Sequence, residues 1–236
     1  MRVTGTILSC IAACAAIAAA APAEAAFMKL KLTGRVSDSY ASVNDSGRFG
    51  LPAGRGLKDR RVVMVFDYDV RQPGVEIQRN DDPEGKSVYA LGGFGNGWTH
   101  PILRASVKIH GVTESVPAES LVTSYFGGNK SERRVSANAM AGGRIETVFE
   151  ALPGQPFGLN LSAPLALTHL VNDGASFAFD FAKCLPDYCV QPGSFAAVDL
   201  ETARISAVPL PPAALLLVSG LGALGWAARR RAATAA

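Results

Sequence analysis

The fold class of this chain is decided by the stretch Leu103-Arg104-Ala105-Ser106-Val107-Lys108-Ile109-His110. Apolar and polar side chains alternate along it, which is the pattern of a β-strand that buries one face and exposes the other. The same alternation recurs on both sides, and no stretch of 27–207 shows a sustained helical period. The segments that share the pattern are 28–36, 61–70, 121–126, 133–139, 144–151, 177–181 and 195–207.

These segments predict an all-β domain, an antiparallel β-sandwich or jelly roll of about eight or nine strands, flanked by an N-terminal signal helix and a C-terminal transmembrane helix. Both faces of 61–70 are apolar, so this strand is expected at the centre of a sheet. The last strand is expected to break near Glu201 and to lead directly into Val208. Gly, Pro and polar residues predict loops at 37–58, 72–85 and 153–164, and a turn at 127–129.

Residues 1–26 have the pattern of a secretory signal peptide. Arg2 supplies the positive charge at the start, 7–21 is apolar, and small residues follow at 23–26, where signal peptidase would cut. An N-terminal membrane anchor is one alternative, although the apolar run is short for a span of about 20 residues. A second alternative is a lipoprotein signal, in which Cys14 would be lipidated.

The other end of the chain opens with Val208-Pro209-Leu210-Pro211-Pro212 and continues as an apolar stretch, 213–228. The basic residues Arg229, Arg230 and Arg231 follow at once, and a short tail, 232–236, ends the chain. A helix over 210–228 would nearly cross about 30 Å of hydrocarbon at about 1.5 Å per residue. Because arginines resist translocation, this end is expected in the cytoplasm and 27–207 outside. An ordinary tail anchor is the alternative.

A Pro motif, a hydrophobic helix rich in Leu and Gly, and a terminal Arg cluster, in this order, resemble the PEP-CTERM class of sorting signals, in particular its VPLPA variant. The departure from the variant is Pro212, where its name has Ala. The resemblance implies that exosortase, a membrane-embedded processing enzyme, recognises the tail. It further implies transient inner-membrane anchoring, cleavage near the Pro motif, and transfer to the surface or matrix of an exopolysaccharide-producing Gram-negative bacterium.

The body of the chain resembles the same family more weakly. The matching motifs are Thr33-Gly34-Arg35-Val36, Phe66-Asp67-Tyr68-Asp69 and Ile109-His110-Gly111. The family implies no catalytic residues for this part of the chain.

Charge and length bound what the central segment can be. Residues 27–207 suit one domain, and they carry 19 Lys+Arg and 19 Asp+Glu once Arg2, Glu24 and the terminal arginines are set aside. The basic character of the whole chain therefore belongs to its ends, and no nucleic-acid partner is expected. The pairs Arg60-Arg61 and Arg133-Arg134 are interpreted as solvated strand ends.

Two cysteines remain in the central segment, Cys184 and Cys189. In an oxidising compartment they are expected to form a local disulfide. The closed loop is short, so its entropic contribution would be about 2 kcal/mol. Zinc binding is the alternative, but no histidine lies nearby to complete the ligand set.

The acidic cluster in 72–85 offers the oxygen ligands that calcium prefers, from Asn80, Asp81, Asp82 and Glu84. Asp67 and Asp69 are expected on one strand face that ends near this loop. An ordinary solvated turn is the alternative. No other cofactor is expected.

No catalytic motif is evident in the sequence, and the chain is predicted not to be an enzyme. His100, His110 and His169 lie on different segments without metal-ligand spacing. The run 92–98 is interpreted as a Gly-rich loop or hairpin, because Pro101 and the strand from Leu103 leave no helix to complete a phosphate-binding loop.

Three functional hypotheses follow. The first is a non-catalytic surface or matrix protein that associates with polysaccharide, in which Trp98, Tyr89 and Tyr125 could stack on sugars or simply pack in the core. The second is a secreted glycan hydrolase on a jelly-roll scaffold, which requires a cleft with paired carboxylates. The third is a purely structural domain.

Overall fold

The computed structural model describes residues 27–208 apart from 39–41, 45–46, 83–84, 93–98, 118–120, 122, 131–132, 142, 154, 156–157, 169, 182–183, 186–187 and 190–191. In this part of the chain every regular element is a strand, which confirms the all-β prediction. The strands are β1 (Phe27–Val36), β2 (Val43–Asn44), β3 (Arg61–Tyr68), β4 (Glu76–Asp82), β5 (Gly85–Gly92), β6 (Ile102–Ile109), β7 (Val112–Pro117), β8 (Thr123–Asn129), β9 (Arg134–Met140), β10 (Gly143–Ala151), β11 (Leu165–Thr168), β12 (Leu170–Phe181), β13 (Cys184–Leu185), β14 (Tyr188–Cys189) and β15 (Pro192–Val208).

Thirteen of these strands form one sheet. Its hydrogen-bonded path runs β4-β5-β8-β9-β10-β12-β15-β1-β3-β6-β7, and the short strands β2 and β11 also pair with β15. The ladders are antiparallel. Strands β13 and β14 pair only with each other.

The sheet curls so that its two arms face each other across one apolar core. Strand β6, near one end of the path, contacts β8, β9 and β10 from the other arm. Strands alternate as the sequence predicts: β1 buries every second residue, and β10 buries Ile145, Thr147, Phe149 and Ala151. Residues from both arms therefore share one core, and Phe27–Ala207 forms one compact unit.

Strand β3 lies between β1 and β6, which confirms that 61–70 contains a central strand. Its partner β6 turns into β7 through His110 and Gly111, whose φ angles of 50° and 83° are those of a two-residue hairpin turn. His110 is exposed there. A register shift opposite Asp67 and Tyr68 buries Ile102 and leaves Leu103 half-buried, so the expectation that Leu103 shares the core face was wrong.

Two predicted breaks are in fact strands. The segment 72–85 contains β4 and the first residue of β5, so the predicted loop is an edge hairpin. Residues 127–129 belong to β8, and Asn129 pairs with Arg134 of β9, so the connection between the two strands comes after residue 129. Gly127 marks a close approach instead of a turn, because a Cβ there would lie 2.2 Å from Cδ1 of Tyr89 on the neighbouring strand.

Strand β15 does not break near Glu201, as the sequence had suggested. It pairs with β12 before that residue and with β11 after it. The buried positions nevertheless change phase, from Ala196, Val198 and Leu200 to Ala203 and Ile205. The irregular pattern in the sequence reflects this change of face in a continuous strand that ends at Val208.

Candidate functional site

A groove of about 530 Å³ lies between the edge hairpin β4–β5 and the connection that precedes β11. Its apolar part consists of Val70, Ile77, Val88, Leu159 and Leu161, and Ile77 is 37% exposed. A concave site of this volume with mostly apolar walls is typical of places where proteins bind small ligands or parts of larger ones.

One wall of the groove is held from inside the core by Tyr68. Its hydroxyl donates to the carbonyl oxygen of Leu161 over 2.8 Å, and its ring stacks on Phe126 with centroids 3.9 Å apart. Burial raises the pKa of Tyr68 above its ordinary value, so the hydroxyl remains a neutral donor. Asn160 adds two local bonds, since its side chain accepts from the Ser162 amide and its carbonyl accepts from the Ala163 amide.

The start of the same connection is held by Arg133, whose φ is 53°. Its guanidinium donates to the carbonyl oxygens of Ala151 and Leu152 over 3.2 and 2.9 Å and also to that of Gln155. Arg134 pairs with Glu150 over 2.7 Å. The interpretation of Arg133-Arg134 as a solvated strand end was therefore wrong, because both side chains bind neighbouring parts of the fold.

The polar groups of the groove are mixed in sign. Asp69 binds both the backbone amide and the guanidinium of Arg71, at 2.9 and 3.5 Å. Arg79 forms no ion pair within the part of the chain that the structure describes. Asp81 lies 3.9 Å from Lys86, and both side chains are mostly exposed, so this pair contributes little to stability. A cation, an amide and a hydroxyl are thus available to a ligand at Arg79, Asn160 and Ser162.

The acidic cluster predicted to bind calcium lies on this hairpin. Asn80, Asp81 and Asp82 belong to strand β4, and Glu84 lies outside the described residues. Neighbouring positions on a strand point to opposite faces, so Asn80 and Asp81 do not converge. Asp67 and Asp69 are occupied by other partners, and the described residues contain no group of three or more acidic, His or Cys side chains placed to hold a metal ion.

The cysteine prediction falls on the small hairpin β13–β14. Cys184 and Cys189 lie opposite each other in its antiparallel register. This backbone arrangement is compatible with a cross-strand disulfide, which remains a prediction.

The histidines occupy unrelated positions. His100 lies with Nδ1 3.1 Å from the hydroxyl of buried Ser124, and burial lowers the pKa of its ring, opposed by a backbone hydrogen bond with Leu121. His110 lies in the β6–β7 turn, and His169 is outside the described residues. The structure therefore does not bring His100 and His110 together.

Several predicted features lie outside the described residues. These are the signal peptide at 1–26, Trp98 of the Gly-rich run, and the sorting signal after Val208. Where the chain is described, none of it forms a helix with the length and hydropathy of a membrane span.

The groove itself was not predicted, because its two walls come from segments far apart in the chain that were both expected to be loops, and one of them is the strand pair β4–β5. No protein-family model, curated protein or solved structure matches this chain.

Proposed function

We propose that this chain is an exported bacterial surface or extracellular-matrix protein whose 27–207 domain binds polysaccharide without cleaving it. Signal peptidase would remove 1–26, and the tail would anchor the protein transiently in the inner membrane. Exosortase would then cut near the Pro motif and release the domain to the cell surface. The support for this route is the resemblance of the tail to VPLPA signals.

The position of the motif relative to the fold fits that route. Strand β15 runs to Val208, the first residue of the motif, and its earlier residues pair with β11 and β12. A cut after Val208 would therefore leave the paired part of β15 intact. We also propose that the two facing arms of the curled sheet act as the two layers of a sandwich or jelly roll.

The observation that carries the binding function is the composition of the groove. It combines apolar walls with Arg79, Asn160 and Ser162, which can bind acidic or hydroxyl groups of a sugar. Among its described lining residues Asp81 is the one carboxylate, and its side chain is 75% exposed. Hydrolysis of a glycosidic bond ordinarily uses two carboxylates that flank the bond. The groove thus favours binding over the alternative, a secreted jelly-roll glycan hydrolase.

A glycan array probed with purified 27–207 tests this proposal. We expect binding to one class of glycan, at least fivefold weaker in Arg79→Gln and unchanged in Arg55→Gln, which removes an exposed arginine outside the groove. The same glycans are then incubated with the domain and assayed for new reducing ends. Release of reducing ends would support the hydrolase alternative. If Arg79→Gln and Arg55→Gln bind glycans equally well, the groove is not the binding site.

A further inference from the structure

The outer face of β1, β3 and β6 and the end of β15 carries cations that the sequence shows only as separate polar positions. Their registers are continuous across the sheet: Lys29 lies opposite Asp67, and Asp67 lies opposite Arg104. The basic face is defined here as the surface formed by Lys29, Lys31, Arg61, Arg104, Lys108 and Arg204.

The end of β15 continues this face beside β1. The hydroxyls of Thr33 and Thr202 lie 2.6 Å apart, so both side chains are on the same side of the sheet. Arg204 follows Thr202 by two residues and therefore points the same way. Arg35, on the same side of β1, is already paired with Asp59 and Glu201.

The basic face has little accessible negative charge to balance it. Asp67 is its central acid, but only 6% of that side chain is exposed, and it binds Arg104 at 2.6 Å and Lys29 at 3.7 Å. Lys31, Arg61, Lys108 and Arg204 are exposed and form no ion pair among the described residues. The exposed acids on the same side of β15 are Asp199 and Glu201, and Glu201 pairs with Arg35. A domain with no net charge thus presents one face on which exposed cations outnumber exposed acids.

Between the cations lie short side chains, mainly Val63, Val65, Thr33 and Ser106. Lys29 and Lys31 are two residues apart on β1, about 7 Å, and Arg104 and Lys108 are four residues apart on β6, about 13 Å. Neighbouring strands are about 5 Å apart, so an extended polymer could touch several cations at once. Hydroxyl side chains can also exchange hydrogen bonds with sugar hydroxyls. By contrast, duplex DNA is read by elements that enter a groove, and single strands bind aromatic platforms.

We propose that the basic face binds an acidic polysaccharide, one whose sugars carry carboxylates, through several lysines and arginines together. This surface is separate from the groove, and the inference rests on the proposed function only for the export that would expose it to such polymers. Binding through exposed charges should weaken steeply with added salt.

Affinity electrophoresis of 27–207 in gels containing sodium alginate tests the proposal, with neutral dextran of matched length as the reference. At low salt we expect the domain to be retarded in the alginate gel and not in the dextran gel. Lys31→Gln with Lys108→Gln should weaken it about fivefold to tenfold. The control is Arg55→Gln with Lys130→Gln, which removes the same charge from exposed residues outside both the basic face and the groove and should have little effect.

Arg61→Gln with Arg204→Gln gives an independent second variant, and melting temperatures verify that every variant is folded. Equal weakening by the control pair, or binding of duplex DNA or phosphatidylglycerol vesicles as tight as that of alginate, would overturn the proposal. If the basic-face variants behave as wild type while Arg79→Gln still weakens glycan-array binding at least fivefold, this inference fails and the groove proposal stands.

Discussion

At the scale of single residues, the least predictable feature is the buried carboxylate of Asp67. Sequence alternation places it on the same face of β3 as Val63 and Val65, and gives no sign of its partners, which lie on two other strands. Arg104 binds one oxygen through both Nε and Nη2, at 3.1 and 2.6 Å. Since a buried carboxylate needs such partners, the pairing stabilises the β1–β3–β6 register.

Asp67→Asn should lower the free energy of unfolding by about 1–3 kcal/mol, because it removes a charged acceptor from a desolvated position. The matched control is Asp59→Asn, whose ion pair with Arg35 is exposed on both sides and should change stability by less than about 0.5 kcal/mol. Urea unfolding of Asp67→Asn, Arg104→Gln and the double variant measures the coupling. Simple additivity of the two single changes would contradict a stabilising contact.

His100 gives a prediction about pH. Burial lowers the pKa of its ring, so the native state favours the neutral form while the unfolded chain begins to bind a proton below about pH 6.5. The stability that depends on neutral His100 is therefore present above that pH and is lost as the pH falls. NMR titration should give a pKa below 6.5, and His100→Gln should flatten the decline of melting temperature toward acid pH. A measured value at or above 6.5 would refute this account.

At the scale of elements, strands with strict alternation were predictable and glycine-rich or highly polar strands were not. Segments 28–36 and 144–151 alternate cleanly, and both are strands. Strand β4 lies at the sheet edge with exposed polar residues, so its sequence resembles a loop. In β8, the glycine pattern around Gly127 predicts a turn. The residue instead lies within the strand, where the Tyr89 ring leaves no room for a larger side chain. Packing between distant strands decides such positions.

The β4–β5 hairpin allows a direct test of the calcium hypothesis. Because Asn80 and Asp81 occupy successive positions on a strand, we expect millimolar calcium to leave the melting temperature of 27–207 within about 1 °C of its calcium-free value. The double variant Asp81→Ala with Asp82→Ala should then have the same melting temperature with and without calcium. A rise in the unmutated domain that the double variant abolishes would establish a calcium site and show that the acids converge.

The β13–β14 hairpin carries the thiol prediction. With Cys184 and Cys189 opposite each other in register, protein recovered from the periplasm or medium should contain them as a disulfide. Alkylation of free thiols before non-reducing mass spectrometry distinguishes the states. Reduction of the disulfide should lower the free energy of unfolding by about 2 kcal/mol, which is the loop-closure contribution of so short a loop. Two alkylated cysteines in the mature protein would refute the pair.

At the scale of the whole molecule, the sequence patterns predict which segments are strands but not the order in which those strands lie in the sheet. The path places β15 beside β1, joining the last strand of the domain to the first. That neighbour relation brings Arg204 to the basic face, and the approach of the 158–164 connection to the β4–β5 hairpin creates the groove. Neither relation leaves a periodic signal in sequence, because each depends on contacts between segments far apart in the chain.

The last prediction concerns how the whole chain is sorted. Deletion of Arg229, Arg230 and Arg231 should impair membrane retention and processing, because in the proposed route these arginines would keep the C-terminus in the cytoplasm. Fractionation of the native host, with and without its exosortase, followed by immunoblotting measures both effects. The uncut chain should accumulate in the inner membrane when exosortase is absent.

The matched control replaces the three arginines with lysines, which keeps the positive charge and should preserve membrane orientation. Residues 27–207 are identical in all variants, so a folding defect in the domain cannot account for a difference. A deletion variant that is cleaved and reaches the surface as wild type does would show that the Arg cluster takes no part in sorting. The same distribution with and without exosortase would remove that enzyme from the proposed route, leaving an ordinary tail anchor as the account of this end of the chain.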